Sequence, residues 1–203
     1  MREWKILENG LPDAIYVRAY ETHVDLMRAA IVGAAGTPYH DALFVFDIKF
    51  PLDYPNRPPH VHYWSHGLCP NPCLWANCRV WMSLLNTVLI AGWAMGWWVP
   101  SQSTILQVLV SIQTLVLNDK PFFFNEIDYK FVDKFFSIDT SIPRNIDFYM
   151  ETCKSTVYLL RHPPKNFEGI ISEHYRCKAG DILRAYVANS LCKWARGGRA
   201  LRQ

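Results

Sequence analysis

The order of apolar and polar positions divides the chain into a strand-rich first half and a helix-rich second half. Ile15–Tyr20 alternates apolar and polar residues, the period-two pattern of a half-buried strand. Leu26–Val32 and Leu43–Lys49 read as two more strands, with Gly33, Gly36-Thr37-Pro38 and Asp41 supplying turn residues between them. Next comes Phe50-Pro51-Leu52-Asp53-Tyr54-Pro55-Asn56-Arg57-Pro58-Pro59. Each proline removes a ladder donor, so this stretch predicts a rigid extended loop, with a short strand at Val61–Trp64 after it. The period then changes. Ser103–Leu117 has apolar residues at 105, 108, 109, 112, 115 and 116, one face of a helix, with Ser101 or Ser103 as candidate cap. Asn145–Leu160 repeats the pattern until Pro163-Pro164, and Asn166 is the expected cap of a last helix carrying Phe167, Ile171, His174, Tyr175, Ile182 and Tyr186 on one side. At the start, Arg2–Leu7 predicts a short helix stopped by Asn9-Gly10. Strands followed by helices imply an α+β domain with its helices on one face or one end of an antiparallel sheet.

Composition narrows the function classes. The chain has 203 residues, half of them apolar, enough for one domain or one domain with an appendage around a real core. The formal charge of +3 is too small, and too scattered, to announce a nucleic-acid surface. The one basic run, Lys193, Arg196, Arg199 and Arg202, reads as a solvated chain end, so no nucleic-acid partner is expected. Met1 is followed by Arg-Glu-Trp-Lys rather than an apolar run, and the six cysteines are irregularly spaced. Both point to reduced thiols in a cytoplasmic or nuclear protein. Val80–Val99 is long and apolar enough to raise a membrane span, but Ser83, Asn86, Thr87, Gly92 and Gly96 interrupt it and Pro100 ends it. The membrane reading is the less favoured one.

Candidate chemistry centres on the segment from the proline loop to the Ser103–Leu117 helix. Phe50-Pro51-x-Asp53-Tyr54-Pro55-x-x-Pro58-Pro59 resembles the signature of the ubiquitin-conjugating enzymes between their third and fourth strands. Asn71-Pro72, Val80-x-x-Ser83-Leu84-Leu85, Trp98-x-Pro100, Leu106-x-x-Leu109-x-Ser111-Ile112-Gln113 and Asn125-Glu126 follow in that family's order. Gly33-Ala34-Ala35-Gly36-Thr37-Pro38-Tyr39-His40-Asp41 and Arg161-x-Pro163-Pro164-Lys165 are similar to the large hybrid conjugating-enzyme/ligase subgroup, including the plant phosphate-homeostasis type. The resemblance implies a four-stranded meander packed against a central helix, with a core over 1–130, a shortened first helix and a helical extension over 131–203. It implies ubiquitin as partner, together with a ligase or an active conjugating enzyme. No cofactor is implied, since ATP is used by the activating enzyme. It also implies a ligase-facing surface at Pro58, Pro59, Trp98 and Pro100.

The departures from that family matter most for function. Its chemistry needs a thiolate nucleophile and an asparagine that orders the loop and stabilises the oxyanion. Matching Val80 and Ser83-Leu84-Leu85 to the family places Trp81 at the nucleophile position, and eight residues before it Cys73 stands at the asparagine position. An indole N–H only donates, so Trp81 cannot form a thioester. The expectation is a catalytically impaired member that acts by binding ubiquitin or a ligase, with charging by the activating enzyme doubtful. The alternative is an active transferase using Cys78 as a displaced nucleophile, although three residues of extended chain move the sulfur by ~10 Å. A weaker alternative is a membrane-associated fragment of a hybrid ligase.

A metal site is the competing chemistry. His60, His62, His66, Cys69, Cys73 and Cys78 fall close together, and Cys69-x₃-Cys73 has a zinc-like spacing. Two histidines on one face of a strand need not converge on the thiols, so no metal is expected.

Overall fold

In the computed structural model, residues 2–71, 73–74, 79–87, 97–118 and 145–200 are described, with the side chains of 145–146 and 188–200 excepted. Four strands, β1 (Ile15–Tyr20), β2 (His23–Val32), β3 (Leu43–Lys49) and β4 (His60–Tyr63), form one antiparallel sheet in the order β1-β2-β3-β4. This is the predicted meander. β2 begins three residues earlier than its pattern suggests, because His23 pairs with Tyr20 across a tight turn, and β4 is shifted one residue toward the N-terminus. The helices are α1 (Arg2–Gly10), α2 (Ile105–Ser111), α3 (Asn145–Arg161) and α4 (Glu168–Ala200). α2 continues into a wider π-helical turn, Ile112–Val116.

The sheet buries both faces. Ala29, Ile31, Phe44, Phe46, Ile48 and Val61 pack against Ile105, Val108, Leu109 and Ile112 of α2. Alternation along the strands sends Ala30, Leu43 and Val45 to the opposite face, where Leu159 of α3, with Phe167, Ile171 and Tyr175 at the start of α4, covers them. The later helices therefore do not simply extend one end of the domain. Polar contacts fix α4 in place. The Leu43 amide donates to the Tyr175 hydroxyl at 3.0 Å. His174 Nε2 donates to the Asp41 carbonyl at 2.7 Å, and Lys178 Nζ lies 3.2 Å from the Asp41 carboxylate. The Arg18 guanidinium sits 5.8 Å over the Phe167 ring. On α3, Ser155 meets the Tyr63 hydroxyl at 3.0 Å.

Two of the expected helix caps are replaced by neighbours. Thr104 caps α2 in a reciprocal box: its hydroxyl accepts from the Gln107 amide at 3.2 Å, and the Gln107 side chain accepts from the Thr104 amide at 3.0 Å. Ser103 instead closes the preceding turn by accepting from the Val99 amide at 2.9 Å. Glu3 of α1 accepts from the Ile105 amide at 2.9 Å, so α1 satisfies another open donor of α2. Asn166 does not cap α4. It takes a left-handed φ of 70°, and the first helical carbonyl is that of Phe167, which accepts from the Ile171 amide at 2.9 Å.

Because Phe167 is fully buried between α4 and the sheet, Phe167→Ala is expected to lower the unfolding free energy by about 3–5 kcal/mol. Urea unfolding checks this, and a loss below about 1 kcal/mol would show that α4 contributes little to holding the second face.

Candidate active-site loop

The loop after β4 is built on one buried amide. Asn71 is fully buried, and its side chain makes three hydrogen bonds. Its Nδ2 donates to the Tyr39 hydroxyl and to the Val116 carbonyl, each at 2.7 Å, and its Oδ1 accepts from the Cys73 amide at 2.6 Å. One residue thus joins the β2–β3 connection, the end of α2 and the candidate loop. Val116 closes the helical run, where carbonyls lack an intrahelical partner, so Asn71 satisfies a group that burial would otherwise penalise. Tyr39 is held in reach by Gly33: a Cβ at that position would lie 1.9 Å from the Tyr39 carbonyl oxygen, so only glycine fits. Burial raises the Tyr39 phenol well above its ordinary pKa, keeping the hydroxyl neutral.

Backbone pairing brings the two sequence-predicted positions together. The Trp81 amide donates to the Cys73 carbonyl at 2.9 Å, and isolated bridges join Leu74 to Val80 and His62 to Arg79. The loop therefore lies beside β4. The next segment is pinned by Thr87, whose hydroxyl accepts from the Met82 amide at 2.8 Å and lies 3.0 and 3.1 Å from the Val80 and Met82 carbonyls. Trp81 is half-buried and packs on the core beneath it. Cys73 is buried, and burial pushes its thiol up to about 12. It therefore stays protonated, with only a weak S–H to donate. Pro72 and Cys78 lie outside the described residues.

The proposed ligase-facing residues divide by exposure. Pro58 is half-buried and Pro100 exposed, whereas Pro59 and Trp98 are buried. Trp98 joins the turn before α2 to the proline loop: its Nε1 donates to the Pro55 carbonyl at 2.6 Å, and its ring lies 5.7 Å from Tyr54. The apolar side chains that reach solvent here are Leu52, Trp97 and Val99. His60 and His62 are exposed on β4, away from buried Cys73, and no group of three or more metal-binding side chains forms among the described residues. None of the described helices is long and apolar enough to cross a membrane, and Val88–Gly96 lies outside the described residues.

A meander backed by α2, with a loop paired beside β4 and closed by Asn71, defines a conjugating-enzyme type of domain. The family model described as "Ubiquitin-conjugating enzyme" matches residues 1–123. The chain belongs to the ubiquitin-conjugating enzyme family. It is 48% identical over 95% of its length to "Probable ubiquitin-conjugating enzyme E2 23" of Arabidopsis thaliana, and 48% identical over 90% to "Probable ubiquitin-conjugating enzyme E2 26" of the same plant. It covers 18% and 33% of those relatives, respectively. It is also 35% identical, over 87% of its length, to human "Dual E2 ubiquitin-conjugating enzyme/E3 ubiquitin-protein ligase BIRC6", of which it covers 4%. The chain thus spans a minor part of each of these three relatives.

Two outcomes follow from this geometry. Burial keeps the Cys73 thiol protonated and out of reach at pH 8, so Cys73 is expected to resist iodoacetamide while exposed Cys69 and Cys177 are alkylated. Peptide mass mapping distinguishes the sites, and rapid labelling of Cys73 would contradict its burial. Asn71→Ala leaves the Cys73 amide and the Val116 carbonyl buried without their partner, and is expected to cost about 2–4 kcal/mol in urea unfolding.

Proposed function

We propose that this chain is a catalytically silent member of its family, working in the ubiquitin pathway by binding ubiquitin or a ligase rather than by carrying ubiquitin as a thioester. What supports this reading is the sequence match that puts Trp81 at the nucleophile position, together with the 2.9 Å backbone hydrogen bond that sets Trp81 beside Cys73. Thioester formation requires a thiolate to attack the activated ubiquitin carboxyl carbon and expel the previous carrier. The indole of Trp81 has no atom that can do this. At the neighbouring position a protonated thiol replaces the amide donor, and loss of one oxyanion donor typically costs ~10²–10³ in rate. Binding needs neither group. Solvent-facing Leu52, Trp97, Val99 and Pro100 around the proline loop and the turn before α2 favour a ligase-facing role for that surface.

The test is a non-reducing gel of the chain with activating enzyme, ATP and ubiquitin. The wild-type chain is expected to give no reductant-sensitive adduct. Trp81→Cys is expected to regain little activity, and Trp81→Cys with Cys73→Asn to regain more, since the nucleophile and the oxyanion donor are separate requirements. A wild-type adduct that disappears with reductant and with Cys78→Ser would replace this reading with an active transferase that uses Cys78.

A further inference from the structure

A second concave surface lies away from the candidate loop, between α3, α4 and the turn after β4. It is a cavity of about 680 Å³, open to solvent, and none of its described lining residues belongs to 71–87. Val157 of α3 and Leu183 and Tyr186 of α4 line it while remaining 47%, 63% and 39% exposed. Single exposed apolar side chains are ordinary, but several facing one concavity mark a place where something binds.

The charged lining indicates the occupant. Lys154 and Arg161 line the groove, and among the described residues no aspartate or glutamate does. Lys154 is partnered by Glu151 at 2.6 Å, whereas Arg161 makes no ion pair among the described residues. His66 also lines the groove. Its ring stacks on Tyr158 with centroids 4.0 Å apart, and its Nε2 is shielded from water without a hydrogen-bond partner among the described residues. The groove therefore combines apolar walls, an unneutralised guanidinium and an unused imidazole nitrogen.

We propose that this groove docks a protein segment presenting two or three large apolar side chains flanked by carboxylates. The apolar side chains fill the concavity between Val157 and Leu183, and a carboxylate meets Arg161. A second copy meeting this groove with the same face offers no acidic side chain among the described lining residues to pair with Arg161. A bilayer surface is flat, whereas this site is concave. This docking does not depend on whether the candidate loop is catalytic.

The test uses the 203-residue chain and three fluorescently labelled helical peptides with one Leu/Phe face. Their opposite faces carry glutamate, glutamine or lysine. Fluorescence anisotropy is expected to show saturable binding of the glutamate peptide, weaker by about tenfold for the glutamine peptide and for Arg161→Glu. Leu183→Glu is expected to abolish binding at an unchanged thermal midpoint, since Leu183 is mostly exposed in the folded chain. The proposal fails if the glutamate peptide does not saturate or if the lysine peptide binds as well. It also fails if phosphatidylserine vesicles bind the chain through this face and the peptide does not compete. Micromolar self-association lost in Leu183→Glu would instead assign the groove to a second copy.

Discussion

The candidate loop depends on a single buried amide. Asn71 has donors and an acceptor at fixed angles, and all three of its hydrogen bonds go to different parts of the fold. Hydrophobic packing alone does not set the height of a loop over a sheet edge, because it is non-directional. Buried hydrogen bonds are directional, and leaving one unmade costs more than making it gains. The Asn71 amide therefore converts the positions of Tyr39 and Val116 into a position for Cys73, and the Trp81–Cys73 backbone bond passes that position on to the segment after it.

The same logic describes how the loop is framed without drawing on the side chain at position 81. Gly33, Tyr39, Asn71 and Thr87 hold the loop by backbone approach and hydrogen bonds, and none of them needs the nucleophile. A tryptophan at position 81 can pack half-buried on the core while that frame stays intact. The relatives' names describe conjugating enzymes, and this chain belongs to their family.

The second covered face of the sheet gives the helical region a structural role. Phe167, Ile171 and Tyr175 bury one side of the sheet, and the Asp41 contacts fix the register of α4 over it. Further along, the α3–α4 pair leaves Val157, Leu183 and Tyr186 uncovered around a cation-lined concavity. The helices thus stabilise the sheet at one end and offer a surface at the other.

The sequence by itself determined the elements, because they follow from local periodicity. β1 and β3 lie where alternation placed them, the proline loop is irregular because proline cannot enter a ladder, and α3 ends where Pro163-Pro164 forces it to. The family was legible too, from the order of its motifs along the chain. What only the tertiary structure decided were contacts between residues far apart in the chain. Glu3 capping α2, Tyr175 receiving the Leu43 amide and Asn71 bonding Val116 span 102, 132 and 45 positions, and no local pattern encodes them. Exposure around the proline loop was hidden too. Trp98 and Pro59 are buried while Trp97 and Val99 face water, because the Trp98 indole turns inward to the Pro55 carbonyl. Burial of one neighbour rather than the other is set by which side chain finds a partner inside, and that is known only once the chain has folded.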